Sequence, residues 1–525
     1  MDWLEFAGNR LEAALDRYIE AILAQQKSYA QEPTEVLVRS SGHSPNLIVF
    51  EQKIQQVKAS IGLIRNSSTA IVPIHRLPSN LLSRIFIKVT DSETCKLKLD
   101  STDKLPKVPI YLTHVCTQWR KIAIASPDLW THMDLSPLIL KKQPSLSRAQ
   151  AFLSRSKESP LYLHVEYAAE ENEDVSSLNH FISPLVPRIQ KLKICINLTW
   201  LVSEQRFSRS ELSCFLNEDT TAGRLTMLDL SVKGTSRVFC IQAAGQKQDE
   251  DSLNLTLPEH RLDKLLLPVT ALQLDRIYSP WTSKVYHGLL DLRIHTVYDI
   301  RESELVNVFI QSPRLRVLEI KSRINFAHAP PAPIALHSLE VLITHNLSYL
   351  ELGRFLQVLD TGSSPLFMSI DSPRFDNQLN QNLVDFFSRS NVTGLCTTEG
   401  YSFEMLLGLV NLSHTIKKLA MSPPPLAIDD ESLKDETNVP ISTYIHLETL
   451  YFLGPYFALR ISQLQSVINW RGVRKLVIWG DVRWIANNGR PIISKQFLQK
   501  ELSELGAEIE LLPAHAPCPL DSFLL

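Results

Sequence analysis

The sequence predicts an α/β fold, α+β overall, in which a helical N-terminal region precedes a long series of strand-and-helix units. Three observations predict it. Apolar residues in the first 136 positions recur every three or four residues, which is the spacing of amphipathic helices. Farther along, the pattern apolar-x-x-apolar-x-apolar recurs many times, and its alternating end is typical of short strands. Finally, 44% of the 525 residues are hydrophobic and 21% are charged, so the chain can bury an extensive core.

Residues 1–68 predict a helical hairpin. The first amphipathic helix spans 3–29 and the second spans 47–65, and Pro33 begins a polar connection between them. We expect this hairpin to pack against the helices that follow it. A dimerising coiled coil is the alternative, and it is less favoured because the apolar residues do not keep a strict heptad.

Residues 72–136 predict three short helices. Pro78 suits the first turn of a helix, where the amide proton that proline lacks would have no partner. An apolar stripe at helical spacing follows it, formed by Leu81, Leu82, Ile85 and Phe86. A second stripe runs from Tyr111 to Ile122, and Pro127 begins a third helix. Three such helices enclose a thin core, which gains stability from a partner.

This stretch resembles an F-box, and its order and spacing are similar to those of the F-box-like proteins abundant in mushroom-forming fungi. That family opens with Leu-Pro, followed by a pair of Leu and Ile-Phe, and later has Val-Cys, Trp-Arg and Leu-Trp pairs. The matching residues here are Leu77, Pro78, Leu81, Leu82, Ile85, Phe86, Val115, Cys116, Trp119, Arg120, Leu129 and Trp130. One departure is the long polar link over 88–108, where a compact F-box has a short turn.

The resemblance implies a partner. Members of this family dock on a Skp-type adaptor, and through it on a cullin, within a ubiquitin ligase. Carried over residue by residue, the adaptor-binding surface would consist of Leu77, Pro78, Leu81, Leu82, Ile85 and Phe86, completed or supported by Val115, Cys116, Trp119, Arg120 and Trp130.

Residues 137–525 carry a weak internal repeat of the apolar pattern. Its copies begin at Ile189, Leu225, Leu262, Leu289, Leu315, Leu339, Ile416, Leu447 and Val473, with degenerate copies near Leu366 and Val392. In the second half of the chain they recur about every 26 residues. Helix-like runs precede several copies, over 302–310, 350–359, 379–387, 403–410 and 461–470. A strand over 161–166 is expected to be the first rung.

This pattern is similar to that of leucine-rich repeats. The resemblance implies an irregular leucine-rich-repeat-like α/β solenoid with a parallel sheet on its concave side, because each unit buries its apolar face only by stacking on the next. The alternative to a repeat is that these leucine motifs are the simple apolar alternation of strands in an ordinary α/β core. Trp479 follows the apolar Ile478 and is a candidate for the concave face, although packing is favoured for any single aromatic residue. The stretch 511–525, with three prolines, is expected to be a capping tail.

Residue types that carry chemistry do not form a recognisable set in this sequence. It has no Gly-rich phosphate loop, no H-E-x-x-H and no G-x-S-x-G, and its seven cysteines contain no C-x-x-C pair. We therefore expect a protein that is not an enzyme and takes no cofactor or metal. The net charge of −2 argues against binding to nucleic acid or to an anionic membrane through bulk charge.

The chain begins without a basic and apolar leader, and no apolar stretch has the length of a membrane span, so we expect an intracellular protein, cytoplasmic or nuclear. The expected function is that of a substrate-recognition adaptor of a Skp–cullin–F-box ubiquitin ligase. Its solenoid would bind a target protein that the sequence does not identify. The alternative is a protein-binding scaffold whose F-box-like helices only cap the solenoid.

Overall fold

The computed structural model describes most of the chain. The described residues are 2–29, 45–67, 72–91, 107–137, 140, 143–168, 175–197, 215–216, 224–235, 237–244, 252–254, 258–296, 298–328, 331–371, 381–397, 415–422, 447–462, 464–465, 468, 473–486, 491–492 and 495–520. Packing divides the chain into two compact units. The first comprises Met1–Ile85 and Val115–Ile122, and the second comprises Phe86–His114 and Ala123–Leu525.

Helices follow one another through the N-terminal part and recur between later strands. They are α1 (Asp2–Tyr29), α2 (Pro45–Ser67), α3 (Ser79–Asp91), α4 (Val108–Val115), α5 (Thr117–Ala125), α6 (Gln143–Ser156), α7 (Val175–Ile182), α8 (Glu259–Leu266), α9 (Glu302–Gln311), α10 (Tyr349–Gln357), α11 (Gln381–Arg389) and α12 (Lys495–Ser503). Short 3-10 helices lie at Pro73–Arg76, Pro127–Trp130, Ser183–Arg188 and Lys284–Tyr286.

A 14-stranded parallel sheet dominates the second unit. In spatial order, which is also chain order, its strands are β1 (His132–Leu135), β2 (Leu161–Ala168), β3 (Ile189–Asn197), β4 (Met227–Lys233), β7 (Ala271–Asp275), β9 (Asp291–His295), β11 (Val317–Lys321), β14 (Val341–His345), β16 (Leu366–Asp371), β17 (Val392–Thr397), β18 (Lys418–Met421), β19 (Thr449–Arg460), β20 (Lys475–Ile485) and β21 (Glu508–Leu512). Within the described part of the chain, β1 and β21 are the edges of this open sheet.

Short parallel strands form three smaller sheets beside the large one. Their members are β5 (Phe239–Gln242), β6 (Ser252–Asn254) and β8 (Ile277–Tyr278), then β10 (Ile300–Arg301) with β12 (Ile324–Asn325), and β13 (Ile334–Ala335) with β15 (Leu359–Asp360). These strands lie in the connections between strands of the large sheet, so their pairing joins neighbouring connections by backbone hydrogen bonds.

One face of the large sheet, here called the apolar face, carries an unbroken row of buried side chains. In register from β1 to β20 the row is Met133, Leu163, Leu192, Leu228, Leu272, Leu292, Leu318, Leu342, Met368, Leu395, Leu419, Leu450 and Leu476. None of these side chains is more than 3% exposed. Each buried Leu contributes about 2 kcal/mol relative to an exposed one, so this row is a main source of stability for the sheet.

The two N-terminal helices confirm the elements predicted for residues 1–68. α1 and α2 meet where the rings of Tyr18 and Phe50 stack with centroids 5.3 Å apart. Much of their apolar surface is exposed, including Trp3 at 78% and Ile64 at 60%.

The strand predictions are confirmed at most copies of the apolar pattern. The helix predictions over 302–310, 350–359 and 379–387 correspond to α9, α10 and α11. The predicted helix over 403–410 lies outside the described residues, as does most of the link over 88–108.

The strand predicted at the Leu262 copy is wrong. Residues Glu259–Leu266 form α8, and the strand that takes this place in the sheet is β7, which begins at Ala271. Pro258 precedes the helix, and Leu262, Leu265 and Leu266 are all buried. Their spacing suits both a strand motif and one face of a helix, so the pattern alone does not separate the two.

The structure also bears on membrane crossing. None of the described helices combines the length and apolar character that crossing a bilayer requires.

Candidate functional site

Helix α3 sorts the apolar residues of the F-box-like stretch onto two faces. Leu82 and Phe86 are 0% and 1% exposed, whereas Leu81 and Ile85 are 41% and 42% exposed. Val89, one turn farther along, is 45% exposed. Residues four apart lie on the same side of a helix, so Leu81, Ile85 and Val89 form one exposed stripe, here called the α3 stripe. A contiguous apolar stripe in contact with water is the kind of surface that a protein partner covers.

The beginning of α3 is fixed by the residues predicted for it. The carbonyl of Pro78 accepts hydrogen bonds from the amides of Leu81 and Leu82 at 3.0 and 3.1 Å. The Asn80 side-chain oxygen also accepts from the Leu81 amide, at 2.9 Å. Leu77, which is half-buried, donates its amide to the carbonyl of Ile74 at 3.1 Å. These bonds set where the α3 stripe begins.

Helices α4 and α5 continue the same division between buried and exposed residues. On α4, Tyr111 and Val115 are 60% and 55% exposed and lie four residues apart. At the start of α5, Cys116 Sγ accepts a hydrogen bond from the Trp119 amide at 3.4 Å. The same sulfur lies 3.8 Å from His75 Nε2. Cys116 is therefore a capping residue that ties α5 to the preceding 3-10 helix.

Trp130 is a packing residue of the second unit. Its indole N–H donates to the carbonyl of Ala123 at 2.8 Å, and the ring is fully buried. Phe152 meets the ring edge-on with centroids 5.0 Å apart, and the Arg155 guanidinium lies 4.3 Å from the ring centroid. Together these contacts join the 3-10 helix at Pro127–Trp130 to α5 and α6.

The structure thus separates the predicted adaptor-binding residues by exposure. Pro78, Leu81, Ile85, Val115 and Arg120 are exposed, Leu77, Cys116 and Trp119 are half-buried, and Leu82, Phe86 and Trp130 are buried. Only the exposed and half-buried residues offer surface to a partner, and the buried ones hold the helices that carry them.

The second candidate surface is the face of the large sheet opposite the apolar face, here called the mixed face. Its central row, in register from β1 to β20, is Asp134, His164, Lys193, Asp229, Gln273, Arg293, Glu319, Ile343, Ser369, Cys396, Ala420, Tyr451 and Val477. The residues from β1 to β11 are polar or charged, and those from β14 onward are mostly apolar. The mixed face therefore has a charged half and an apolar half.

Polar side chains of neighbouring strands face each other in the charged half. Lys193 Nζ lies 2.6 Å from Asp229 Oδ2, and the Asp229 side chain is almost completely buried. At the β1 edge, His164 Nδ1 lies 3.2 Å from Asp134 Oδ1. Opposite charges facing each other across a sheet stabilise the pairing of the strands.

Glu319 lies among three basic side chains in this half. His295 Nε2 lies 2.7 Å from Glu319 Oε1, Arg293 Nη1 lies 3.8 Å from Oε2, and His345 Nε2 lies 4.0 Å from Oε1. Burial alone would raise the pKa of Glu319, but the hydrogen bond from His295 and the nearby charges outweigh it and hold the pKa below its ordinary value. Asp291 adds a paired hydrogen bond to the Arg293 guanidinium, at 3.0 and 3.1 Å.

A cavity of about 310 Å³ borders the charged half. Its wall includes Tyr278, Trp281, His295, Tyr298 and Glu304. Burial, followed by the proximity of the Cys240 thiol, raises the pKa of Tyr278 to about 12. This shift extends the pH range over which the phenol is protonated to more alkaline pH.

The apolar half of the mixed face is a buried cluster that the sequence analysis did not identify. The cluster consists of Val341, Ile343, Phe367, Cys396, Ala420, Tyr451, Val477 and Leu520, with Val317, Leu453, Leu512 and Cys518 packed against it. Gly394 pairs with Phe367, and a β-carbon at Gly394 would lie 2.6 Å from the Phe367 ring. Glycine therefore allows this ring to lie over β17.

A signal for the apolar half is present in the sequence. Strands β14, β19 and β20 contain continuous apolar runs, and the central residues of those runs are buried. Such runs indicate strands that are covered on both faces, whereas alternation indicates strands covered on one. The alternation in β7, β9 and β11 fits a face that carries polar residues.

Among the described residues, no group of three or more His, Cys, Asp or Glu side chains is placed to hold a metal ion. Comparison of the chain with models of known protein families, and with curated proteins, gives no significant match.

Proposed function

We propose that this protein is the substrate-recognition subunit of a Skp–cullin–F-box type ubiquitin ligase. In this proposal, the exposed residues of the first unit that belong to the motif, namely Pro78, Leu81, Ile85, Val115 and Arg120, bind the Skp-type adaptor. The second unit is an irregular leucine-rich-repeat-like solenoid, and its mixed face binds a target protein.

The observation that carries the proposal is the division of α3 into two faces. The motif Leu-Pro-x-x-Leu-Leu-x-x-Ile-Phe supplies two apolar residues in each pair, and one of each pair is buried while the other is exposed. Leu82 and Phe86 account for the core of a short helix. Leu81 and Ile85 are not needed for that core, so their apolar character is explained by a partner that covers them.

The large sheet supports the second part of the proposal. Its strands follow one another in chain order, and nearly all equivalent positions align without offset from one strand to the next. Stacked units of this kind present a long continuous surface to a protein ligand. The mixed face offers both charged pairs and apolar side chains over that surface.

In this mechanism the protein would position the target protein and would contribute no chemical groups to the reaction. Holding a target beside a ubiquitin-loaded enzyme converts an encounter in solution into a reaction between neighbours. Effective concentrations produced by such tethering are in the millimolar range for short flexible connections, and they depend on geometry.

Capture of the Skp adaptor by the purified 525-residue chain tests the proposal. We expect the wild type to capture it and the Leu81→Asp/Ile85→Asp variant to lose about tenfold or more in affinity, because two apolar contacts at the centre of an interface are replaced by charges. Ile310→Asp/Leu350→Asp is the matched control, since those two side chains are 58% and 72% exposed on other helices. A wild-type chain that captures no adaptor contradicts the proposal.

A second candidate is a protein-binding scaffold in which the F-box-like helices only stabilise the chain. The burial of Leu82, Phe86 and Trp130 favours it, because these three residues of the motif are fully occupied by packing. In that case the double variant and its control would bind the same target protein equally, and neither they nor the wild type would capture the adaptor.

A further inference from the structure

The cavity that borders the charged half lies beyond the carboxyl ends of β7 and β9. Leu274 near the end of β7 and His295 at the end of β9 line it, and so do Tyr278 of β8 and Ile300 of β10, which lie in the connections after those strands. Its volume of about 310 Å³ is in the range of pockets that bind small molecules or single side chains. The ligase proposal assigns no role to this cavity, so its chemistry can be considered separately.

The innermost lining of the cavity is aliphatic and fixed by the core. The backbone holds its segments together, because the Arg276 amide donates to the His295 carbonyl at 2.8 Å and the Phe239 amide donates to the Arg276 carbonyl at 2.9 Å. Five side chains that are each at most 3% exposed supply this part of the wall, namely Val238, Leu274, Ile277, Ile294 and Ile300. Such side chains have no hydrogen-bonding groups, so they suit the hydrocarbon part of a ligand.

Three aromatic side chains, Tyr278, Trp281 and Tyr298, form another part of the wall. Tyr278 and Trp281 are half-buried, and Tyr298 is 54% exposed. The Trp281 ring stacks on Tyr286 with centroids 5.1 Å apart, and the Tyr286 hydroxyl donates to the Ser279 carbonyl at 2.9 Å. These contacts fix the indole in place. The faces of aromatic rings attract cations.

Two carboxylates and one guanidinium lie in the same wall. Glu304 Oε1 accepts hydrogen bonds from Nε and Nη2 of Arg301 at 2.9 and 2.5 Å, so these two charges offset each other. Asp299, which is exposed, adds a second negative charge. Burial raises the pKa of Tyr278 most, and nearby acidic groups that include Glu304 raise it further. These groups make the potential in the cavity negative, which favours a positively charged ligand.

We propose that this cavity binds a trimethylammonium group. The methyl groups of such a cation suit the aliphatic lining, and the ring faces and carboxylates attract its diffuse positive charge. A metal ion or an unsubstituted ammonium group is more strongly hydrated and would lose that hydration against aliphatic side chains. An anion would be repelled by Asp299. The proposal goes beyond the ligase function and does not depend on it.

A matched pair of small ligands tests the proposal. Choline carries a trimethylammonium group, and 3,3-dimethylbutan-1-ol is its neutral isostere, with carbon in place of the charged nitrogen. Isothermal titration calorimetry of the 525-residue chain should show choline binding about tenfold more tightly than the isostere, because only choline gains from the rings and carboxylates. Equal affinity for the two overturns the proposal, as does absence of choline binding at millimolar concentrations.

Variants of exposed residues place the ligand in this cavity without disturbing the core. Tyr298→Ala should weaken choline binding about three- to tenfold, whereas Tyr298→Phe keeps the ring face and should bind within about twofold of the wild type. Asp299→Asn should weaken binding about threefold, and less at high salt. Tyr456→Ala is the control, since Tyr456 is 70% exposed on β19 and is not part of this wall. A Tyr298→Ala chain that binds choline as the wild type does overturns the proposal.

Two sources supply this group, namely a free small molecule and a trimethylated lysine of another protein. A short peptide with trimethyllysine distinguishes them. Binding of that peptide more tightly than choline, with loss of about tenfold for the same peptide with unmodified lysine, identifies a protein ligand. Binding of choline at least as tightly as the peptide identifies a small molecule. Both results support the cavity as a trimethylammonium site.

Adaptor capture separates this proposal from the ligase function. Tyr298 belongs to the second unit, and the exposed motif residues Leu81 and Ile85 belong to the first. Tyr298→Ala should therefore capture the Skp adaptor as the wild type does. Adaptor capture without choline binding removes the trimethylammonium site and leaves the ligase proposal standing. Choline binding without adaptor capture establishes the site and removes the ligase role.

Discussion

At the scale of single residues, Gly480 controls the approach of the two longest strands. Its φ is +136°, and a β-carbon placed on it would lie 1.8 Å from the carbonyl oxygen of Gly454. Because the obstacle is backbone, it cannot move aside as a flexible side chain would. The two glycines therefore permit β19 and β20 to continue pairing beyond the irregularity between Leu453 and Tyr456.

Gly480→Ala should destabilise the second unit by about 3 kcal/mol or more, since it combines backbone strain with a steric clash. Gly288→Ala is the matched control, because Gly288 has a φ of +72° but no atom within 4 Å of the added carbon. We expect that control to cost about 1 kcal/mol. Urea unfolding followed by circular dichroism measures both, and equal costs would show that the clash is absent in solution.

Glu319 is the residue whose titration should matter most to the sheet. Its pKa is lowered on folding, so the stabilisation that its ionised form contributes is present above the ordinary pKa of 4.5 and is lost as the pH falls through the folded value. Glu319→Gln removes this dependence. The urea midpoint of the wild type should therefore fall more steeply than that of the variant between about pH 5 and pH 3.

Glu340→Gln is the control for this titration. Its hydrogen bond with Arg316 lowers the pKa of Glu340 as well, but both side chains are about half exposed. Salt screens exposed pairs strongly, so in about 1 M NaCl the Glu340 effect should vanish while that of Glu319 persists. Parallel acid profiles for the wild type and Glu319→Gln would contradict the role given to Glu319.

At the scale of elements, the sequence predicted the parts with repeating apolar spacing and missed what depends on contacts distant in the chain. Strands β9 and β11 were recognisable because alternation is a local property. The Leu262 copy was predicted as a strand but forms a helix, because the spacing of its leucines fits both strand and helix periodicity. From the sequence, the four apolar residues of α3 formed a single stripe. Their spacing does not show which of them face a core, so the burial of Leu82 and Phe86 and the exposure of Leu81 and Ile85 could not be predicted.

Trp130 tests the packing of the short helices. Trp130→Ala should cost about 3–5 kcal/mol, the usual range for removing a large buried aromatic residue. Trp130→Phe keeps a ring beside Phe152 and loses the hydrogen bond to Ala123, so it should cost about 1 kcal/mol beyond the loss of ring size. Thermal melting measures both, and a Trp130→Ala chain as stable as the wild type would refute this account of the residue.

At the scale of the whole molecule, the mixed face is divided into a charged half and an apolar half. The charged half contains pairs such as Lys193 with Asp229, and the apolar half includes Leu520 from the stretch that follows β21. The sequence predicted a terminal tail from its prolines. It could not predict that Leu520 returns to the cluster, because nothing local to residues 513–520 specifies the surface on which they lie.

The strict chain order of the 14 strands has a further consequence. Among the described strands, each strand of the large sheet is bonded only to the members of that sheet that precede and follow it in the chain, so none of these pairings encloses another described strand of the sheet. Gain or loss of one strand with its connection changes the length of the sheet and leaves the remaining pairings intact. Such an architecture can therefore lengthen by duplication of a single unit or shorten by its loss, and either change alters the extent of the mixed face without a new fold.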